Sequence, residues 1–204
     1  MDAASTVTIR PLVLTDHPLV RRIVAAAFAA EPFAFGMFGE SALDRLVGTS
    51  LQYASWPQPP ELLVLVAERD GVVLAVAAAN APGQCWLCTD FDPASAPGDG
   101  AGEVIDHEFH RRCRDAHLGN GLPTHARITT VATDPFLTGA GIGGRLVREL
   151  VAQVFADGAT CVVLECLTTR EAFYERCGFH RVVEFADPGG PGLRALLMRV
   201  DRPS

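Results

Sequence analysis

The chain has 204 residues, of which 49% are hydrophobic and 20% charged, and its formal net charge is −7. These values are typical of one compact domain over residues 1–204, and the acidic balance argues against a nucleic-acid partner or an anionic membrane surface. The first residues lack a signal-peptide pattern, and no apolar run is long enough to span a bilayer, so we expect a cytoplasmic protein without membrane contact.

The hydrophobic pattern predicts an α/β protein with the order β-α-α-β-β-α-β-α-β-α-β-β, a mixed sheet with helices around it. We expect the first helix to start with Asp16 as its N-cap and to end before Pro32. The segment Pro32 to Phe38 is predicted to be an irregular link, and Asp70-Gly71 to turn a β-hairpin. The predicted strands are Val7 to Ile9, Leu62 to Glu68, Val72 to Asn80, His125 to Thr133, Cys161 to Leu167, Arg181 to Phe185 and Leu193 to Val200. The later predicted helices are Ser41 to Tyr53, Glu103 to Leu118, Gly141 to Ala156 and Thr169 to Cys177, and residues 93–102 are predicted to form a loop.

A glycine-rich turn from Thr138 to Gly144 follows a predicted strand and opens a predicted helix. Glycines let backbone N–H groups approach a ligand closely, and a helix N-terminus favours negative charge, so the turn suits a pyrophosphate. A tight structural turn remains the alternative. The turn comes late in the chain and no Lys-Ser/Thr pair follows it, which argues against a dinucleotide site and a P-loop.

Two segments carry a resemblance to a known family. The run from His125 to Pro135 followed by Thr138 to Gly144 resembles the acetyl-CoA motif of the GNAT superfamily of N-acetyltransferases. Leu164-Glu165 followed by Glu171 to Phe179 resembles the second signature of that superfamily. The N-terminal half is similar, more loosely, to the puromycin N-acetyltransferase branch.

The resemblance implies a mostly antiparallel sheet that splays at an acetyl-CoA cleft, with helices on both faces. The coenzyme arm would lie between the strands around Val131 and Leu164, and the Val131 N–H would stabilise the oxyanion. Acetyl-CoA would be the co-substrate. The implied coenzyme contacts are Val131, Ala132, Thr133, Thr138, Gly139, Ala140, Gly141, Ile142, Gly143, Gly144, Thr169 and Phe173.

By the same resemblance, Tyr174 is the general acid that protonates the departing thiolate. The alternative is that Tyr174 only packs beside Phe173 under the sheet. Thr138 stands where the family usually has Gln or Arg, and Ala140 stands where a basic residue is common, so phosphate binding would depend mainly on backbone donors. Thr169 replaces the usual Asn with a shorter side chain, which leaves that coenzyme contact open. Thr129 stands where many members carry a catalytic Glu, which leaves the general base open.

The acceptor amine must lose its proton before it attacks, and several side chains could accept it. The candidate bases are Glu31, Asp90, Asp92, His125 and Glu165. For Glu165 a structural ion pair is an equal alternative. The aromatic residues near the first helices either line an acceptor pocket or anchor a loop. The predicted substrate-binding set is Glu31, Phe33, Phe35, Phe38, His125 and Glu165, with Met37 beside it.

Six cysteines are present, and their spacing does not indicate a disulfide framework. Cys85-x-x-Cys88 could be combined with His107, His110 and Cys113 into a zinc site, but no second Cys-x-x-Cys exists, so we expect no metal. His117 and His180 have no partner that is visible in the sequence.

Together these patterns predict an acyl-CoA-dependent N-acetyltransferase that moves an acetyl group to a small-molecule amine by direct transfer in a ternary complex. A homodimer is compatible with the family. The alternatives are a non-enzymatic CoA-binding regulator, an enzyme that uses a longer acyl-CoA or a protein N-terminus, and a zinc-binding interaction module.

Overall fold

Seven strands form one mixed sheet in the order β1-β2-β3-β4-β5-β7-β6. The computed structural model describes residues 6–54, 56, 62–88, 101–122, 125–187 and 192–203, and for Phe33, Trp86 and residues 101–107 it describes the backbone alone. The strands are β1 (Thr8–Pro11), β2 (Leu62–Arg69), β3 (Val72–Asn80), β4 (His125–Thr133), β5 (Cys161–Leu167), β6 (His180–Ala186) and β7 (Arg194–Asp201). The α-helices are α1 (His17–Ala29), α2 (Pro32–Phe38), α3 (Ala42–Gln52), α4 (Ala101–Gly119), α5 (Ile142–Ala156) and α6 (Glu171–Glu175).

Side-chain alternation along the strands builds two cores, one on each face of the sheet. Leu65 and Ala67 of β2 pack with α5, whereas Val64 and Val66 of the same strand pack with α1. Further along the sheet, Cys161 and Val163 of β5 face the α1 side and pack with Ala116 of α4. The predicted mixed sheet with helices on both faces is confirmed, and all pairings except one are antiparallel.

The one parallel pairing is short. β4 and β5 pair only between His125–Arg127 and Cys161–Val163. Beyond these three residue pairs the two strands separate, although β4 continues to Thr133 and β5 to Leu167. The sheet therefore splays between β4 and β5, as the family resemblance implied.

Most local predictions hold, and the segment after α1 is the main correction. Asp70 and Gly71 both have positive φ, 53° and 77°, as a two-residue hairpin turn requires. Pro32–Phe38 is a helix and not an irregular link, because Pro32 occupies its first turn, where a missing N–H costs nothing.

Asp16 precedes α1 as predicted, but its side chain makes no capping bond to that helix. It pairs instead with Arg10 of β1 at 2.6 Å and accepts a bond from the Val13 N–H, so it ties the first strand to the turn before α1.

None of the helices in the described part of the chain has the length and hydropathy needed to cross a membrane. Of the predicted 93–102 loop, residues 93–100 lie outside the described residues, and residues 101 and 102 belong to α4 instead.

Candidate active site

A cleft of about 1050 Å³ opens where β4 and β5 separate. Its walls come from β4, β5, the start of α5 and α6, and its far end is closed by α1 and α3. This volume lies at the upper limit of ordinary small-molecule sites, about 300–1,000 Å³. The cleft brings together residues from both segments that carried the family resemblance.

The glycine turn forms one end of this cleft. Gly139 and Gly141 have φ of 87° and 78°, a conformation that side chains rarely adopt, and Gly141 is the N-cap of α5. Because the first N–H groups of a helix have no partner inside it, the start of α5 presents backbone donors. A Cβ at Gly143 would lie 3.1 Å from Thr133 Oγ1, so glycine also allows the helix start to pack against β4.

Of the predicted residues of the glycine turn, six line the cleft and one does not. Thr138, Gly139, Gly141, Ile142, Gly143 and Gly144 line the cleft. Ala140 does not line it, and its N–H donates to the Leu137 carbonyl at 3.2 Å, which removes it from the set of available donors. Two arginines that the sequence analysis did not select, Arg148 of α5 and Arg176 after α6, line the same end of the cleft. The glycine end therefore has positive charge as well as backbone donors.

The backbone of β4 presents donors to the gap. The Asp134 N–H donates to the Leu74 carbonyl of β3 at 2.9 Å. Because successive N–H groups point to opposite sides of a strand, those of Val131 and Thr133 point away from β3 and toward the cleft. Ala132 is buried in the core on the α1 side of the sheet and its N–H points to β3, but it also borders the cleft. At Thr129 the register of β4 with β3 shifts, since Ala78 pairs with Thr130 and Ala79 with Ile128.

Tyr174 and Phe173 of α6 form the opposite wall. Tyr174 packs edge-on against Phe173 and Phe179, with ring centroids 4.8 and 5.9 Å apart, and it also borders the cleft. Burial raises the pKa of the Tyr174 hydroxyl above its ordinary value, and the nearby Cys166 and Cys177 raise it further. The phenol therefore stays protonated at neutral pH and can donate a proton. Thr169 borders the cleft beside this helix.

The other end of the cleft is lined by aromatic and apolar side chains of the first helices. Phe28 and Tyr53 stack with ring centroids 5.1 Å apart. Glu31 also lies here, in an ion pair with Arg170 at 2.5 Å. The larger apolar side chains of the cleft lining outside β4, β5, α5 and α6 include Phe28, Met37, Tyr53 and Trp56, with Leu62 of β2 and Phe109 of α4.

Two of the predicted acceptor residues lie outside this lining. Phe35 stacks under the Arg45 guanidinium, 3.7 Å from its ring centroid, and Phe38 packs against Gly48 of α3. The Phe33 side chain is outside the described structure, as are Asp90 and Asp92. Of the residues named from the sequence for this end, Met37 lines the cleft, and the aromatic rings there belong to Phe28, Tyr53 and Trp56.

Glu165 is held in a buried charge cluster. Its carboxylate lies 2.8 Å from Arg127 Nε and 2.5 Å from His117 Nε2, and only 2% of its side chain is exposed. Burial alone would raise the pKa of Glu165, but Arg127 and His117 outweigh it and lower the pKa to about 2. Such a carboxylate accepts a proton poorly, which favours the structural ion pair over the base. His125 lies outside the large cleft and lines a smaller cavity with Cys85, Cys88 and His117.

Asn80 is a cleft residue that the sequence analysis did not select. It ends β3, is 4% exposed, and its Oδ1 has no hydrogen-bond partner among the described residues. Buried polar atoms are nearly always paired, so an unpaired acceptor that borders a cleft indicates a ligand donor. A polar residue that ends an otherwise apolar strand, Val72–Asn80, was the available signal.

The comparisons with known proteins agree with this geometry. Residues 30–179 match the Acetyltransferase (GNAT) family. Glucosamine 6-phosphate N-acetyltransferase 1 of Oryza sativa subsp. japonica is 33% identical over 89 residues, which are 43% of this chain and 48% of that protein. The matched part of the chain thus spans about half the length of that curated relative.

Solved structures share the fold over almost the whole chain. Mosquito arylalkylamine N-acetyltransferase like 5b has a TM-score of 0.69 at 16% identity, covering 97% of this chain and 100% of its own. The protein YncA of Salmonella typhimurium, solved with its cofactor acetyl-CoA, has a TM-score of 0.58 at 17% identity, covering 97% and 94%. At these identities the likeness concerns the fold.

Proposed function

Because the chain belongs to the acetyltransferase (GNAT) family, we propose that it moves an acetyl group from acetyl-CoA to the amine of a small molecule by direct transfer in a ternary complex. The observation that carries this proposal is the splay of β4 and β5, which joins the glycine turn, the Val131 N–H and Tyr174 in one cleft. A closer relation to the puromycin branch stays a prediction.

Each wall of the cleft has a role in the proposed reaction. Acetyl-CoA supplies the acetyl thioester that the amine nitrogen attacks. The start of α5, with Arg148 and Arg176, would hold the pyrophosphate. The Val131 N–H would donate to the carbonyl oxygen as negative charge develops there, which contributes about 3 kcal/mol in comparable sites. Tyr174 would protonate the departing sulfur, and the proton that the amine nitrogen loses would pass to water, from which the phenol is reprotonated.

The end near α1 and α3 supports an acceptor with an apolar or aromatic body. Phe28, Tyr53 and Trp56 would contact that body, and Asn80 Oδ1 would accept a hydrogen bond from the amine. The name of the mosquito neighbour, an arylalkylamine N-acetyltransferase-like protein, is in line with such an acceptor.

The test is release of free CoA thiol from acetyl-CoA with a panel of amines, run in parallel on the Asn80→Ala variant. We expect arylalkylamines to react faster than polyamines, aminoglycosides or peptide N-termini. For the Asn80→Ala variant we expect a KM for the amine about tenfold higher, because the loss of one hydrogen bond to a charged or buried group costs about that much binding free energy. Its KM for acetyl-CoA should be unchanged. If acetyl-CoA binds but no amine releases thiol, the chain is a CoA-binding regulator and the proposal fails.

A further inference from the structure

A second cluster of reactive side chains lies outside the cleft. Cys85 and Cys88, His117 at the end of α4, and His125 at the start of β4 each direct one ligand atom to a common point, and these four atoms lie within 4.8 Å of one another. The segments that carry them are far apart in sequence, with the spacing Cys-x2-Cys-x28-His-x7-His. We infer that this cluster binds a structural Zn²⁺ ion.

The distances from His117 to the two sulfurs fit a tetrahedral zinc site. Zinc bonds of about 2.3 Å to sulfur and about 2.05 Å to nitrogen, at tetrahedral angles, place sulfur and nitrogen ligands about 3.6 Å apart. The Cys85 and Cys88 sulfurs lie 3.7 and 3.6 Å from His117 Nδ1. Two thiolates and two imidazoles are the Cys2His2 set of structural zinc sites, and zinc is the divalent metal that this mixture of ligands favours.

Glu165 orients the His117 ring for such a role. An ionised carboxylate can only accept a hydrogen bond, so the His117 proton lies on Nε2, 2.5 Å from Glu165 Oε1. The other ring nitrogen, Nδ1, faces the Cys85 and Cys88 sulfurs, and a bound Zn²⁺ would take the place of any proton on it. A carboxylate behind a histidine ligand is the usual second layer of a zinc site, and here Arg127 fixes the carboxylate in turn.

The backbone holds the ligands in place. Cys85, His117 and His125 are 2%, 1% and 5% exposed. The Gly83 N–H donates to the His125 carbonyl at 2.9 Å, which ties the segment before Cys85 to β4. Cys88 is exposed and, with the other three ligands, lines a cavity of about 280 Å³, so an ion can reach the cluster.

This set differs from the one that the sequence suggested. Cys113 is fully buried and packs with Cys85 and Leu87, but its sulfur is not among the clustered ligand atoms. His110 lines the acetyl-CoA cleft, and the His107 side chain is outside the described structure. The absence of metal expected from the sequence rested on this other grouping.

The experiment strips the purified full chain of metal, titrates it with Zn²⁺ against a chromophoric chelator, and repeats the titration for two single variants. Cys88→Ser removes the sulfur of one ligand, and because Cys88 is exposed the substitution creates no cavity in the core. Cys113→Ala is the matched control, since it removes a cysteine from the same cluster of side chains but not from the ligand set. Circular dichroism reports whether each variant folds.

We expect the unmodified chain and Cys113→Ala to bind one Zn²⁺ per chain, and Cys88→Ser to bind at least tenfold more weakly. Titration with Co²⁺ should give the thiolate charge-transfer and tetrahedral absorption bands in the first two proteins, weakened in Cys88→Ser. Chelation should lower the Tm of the unmodified chain and leave that of Cys88→Ser unchanged. Equal zinc affinity in the unmodified chain and Cys88→Ser, or no zinc binding in either, overturns the inference, and neither result bears on acetyl transfer.

Discussion

Tyr174 combines a protonated hydroxyl with a place on the cleft wall, which predicts a kinetic effect of its removal. Tyr174→Phe keeps the ring contacts with Phe173 and Phe179 and deletes only the hydroxyl. If this hydroxyl protonates the leaving sulfur, kcat should fall about 100-fold or more, in the range of general acid catalysis. The KM for acetyl-CoA should change little, and thiol release measures both.

The control for this variant is Tyr53→Phe, because Tyr53 is the other tyrosine of the chain and stacks on Phe28 at the far end of the cleft. It should alter kcat far less than Tyr174→Phe does.

The pH dependence of kcat is a second test of the acid role. Since burial raises the pKa of Tyr174, its deprotonation should not reduce kcat until the pH exceeds the ordinary tyrosine value of about 10. Equal kcat values for Tyr174→Phe and the unmodified chain would refute the acid role.

Single residues were the hardest to assign from the sequence, because their partners come from distant elements. Tyr174 and the glycine turn could be selected from motifs, since each motif is contiguous. Glu165 could not be resolved between base and ion pair until Arg127 and His117, 38 and 48 residues away, were placed beside it. His117 gave no local signal, because only the fold brings it to the cluster with Cys85 and Cys88. For Asn80 the polar end of an apolar strand was a weak signal, and only the fold places that residue at the cleft.

At the scale of elements, the start of α5 is the feature on which coenzyme binding depends. Gly141 has φ of 78°, and a Cβ there would meet nothing within 4 Å, so only backbone strain opposes Gly141→Ala. That strain is about 1–2 kcal/mol, and the loop can relieve it by rotating the peptide groups that present the N–H donors. We expect the Kd for acetyl-CoA, measured by titration calorimetry, to rise by up to about tenfold.

Gly158 provides a control at the other end of the same helix. Its φ is 100°, and a Cβ there would also meet nothing within 4 Å. Gly158→Ala should therefore lower the free energy of unfolding by a similar amount and leave the Kd for acetyl-CoA unchanged. Equal affinity losses in both variants would indicate a general effect of destabilisation and not a local pyrophosphate site.

The elements themselves could be predicted well wherever periodicity and turn residues agreed. The Asp70-Gly71 hairpin and the α5 helix, flanked by Gly141 and Gly158, are examples. Pro32–Phe38 was misassigned because breakers and aromatics suggested a link, whereas a proline at the first turn is compatible with a helix. Packing of α2 against α3, with Phe38 on Gly48, supplies stability that a seven-residue helix lacks alone.

At the scale of the whole molecule, pairing along the sheet has one weak point. Three residue pairs between β4 and β5 connect the half that contains β1 to β4 with the half that contains β5 to β7. Hydrophobic patterning predicts such a mixed sheet, but it does not show where neighbouring strands part, and only the family resemblance implied the splay. The splay is also what leaves the N–H groups of Val131 and Thr133 facing the cleft.

A ligand that fills this gap should stabilise both halves together. By mass action, acetyl-CoA at 100 times its Kd adds about 2.7 kcal/mol to the free energy of unfolding, which for a chain of this length raises the Tm by about 5–10 °C. If the pantetheine arm bonds β4 as an added strand, amide hydrogen exchange at Val131 and Thr133 should slow on binding, whereas exchange at Ala132, whose N–H faces β3, should change less. ADP, which lacks the arm, should raise the Tm less and leave exchange at Val131 unaltered. Slower exchange at the start of α5 without any change in β4 would mean that the coenzyme binds by its phosphates alone. The pantetheine arm would then lie outside the gap between β4 and β5.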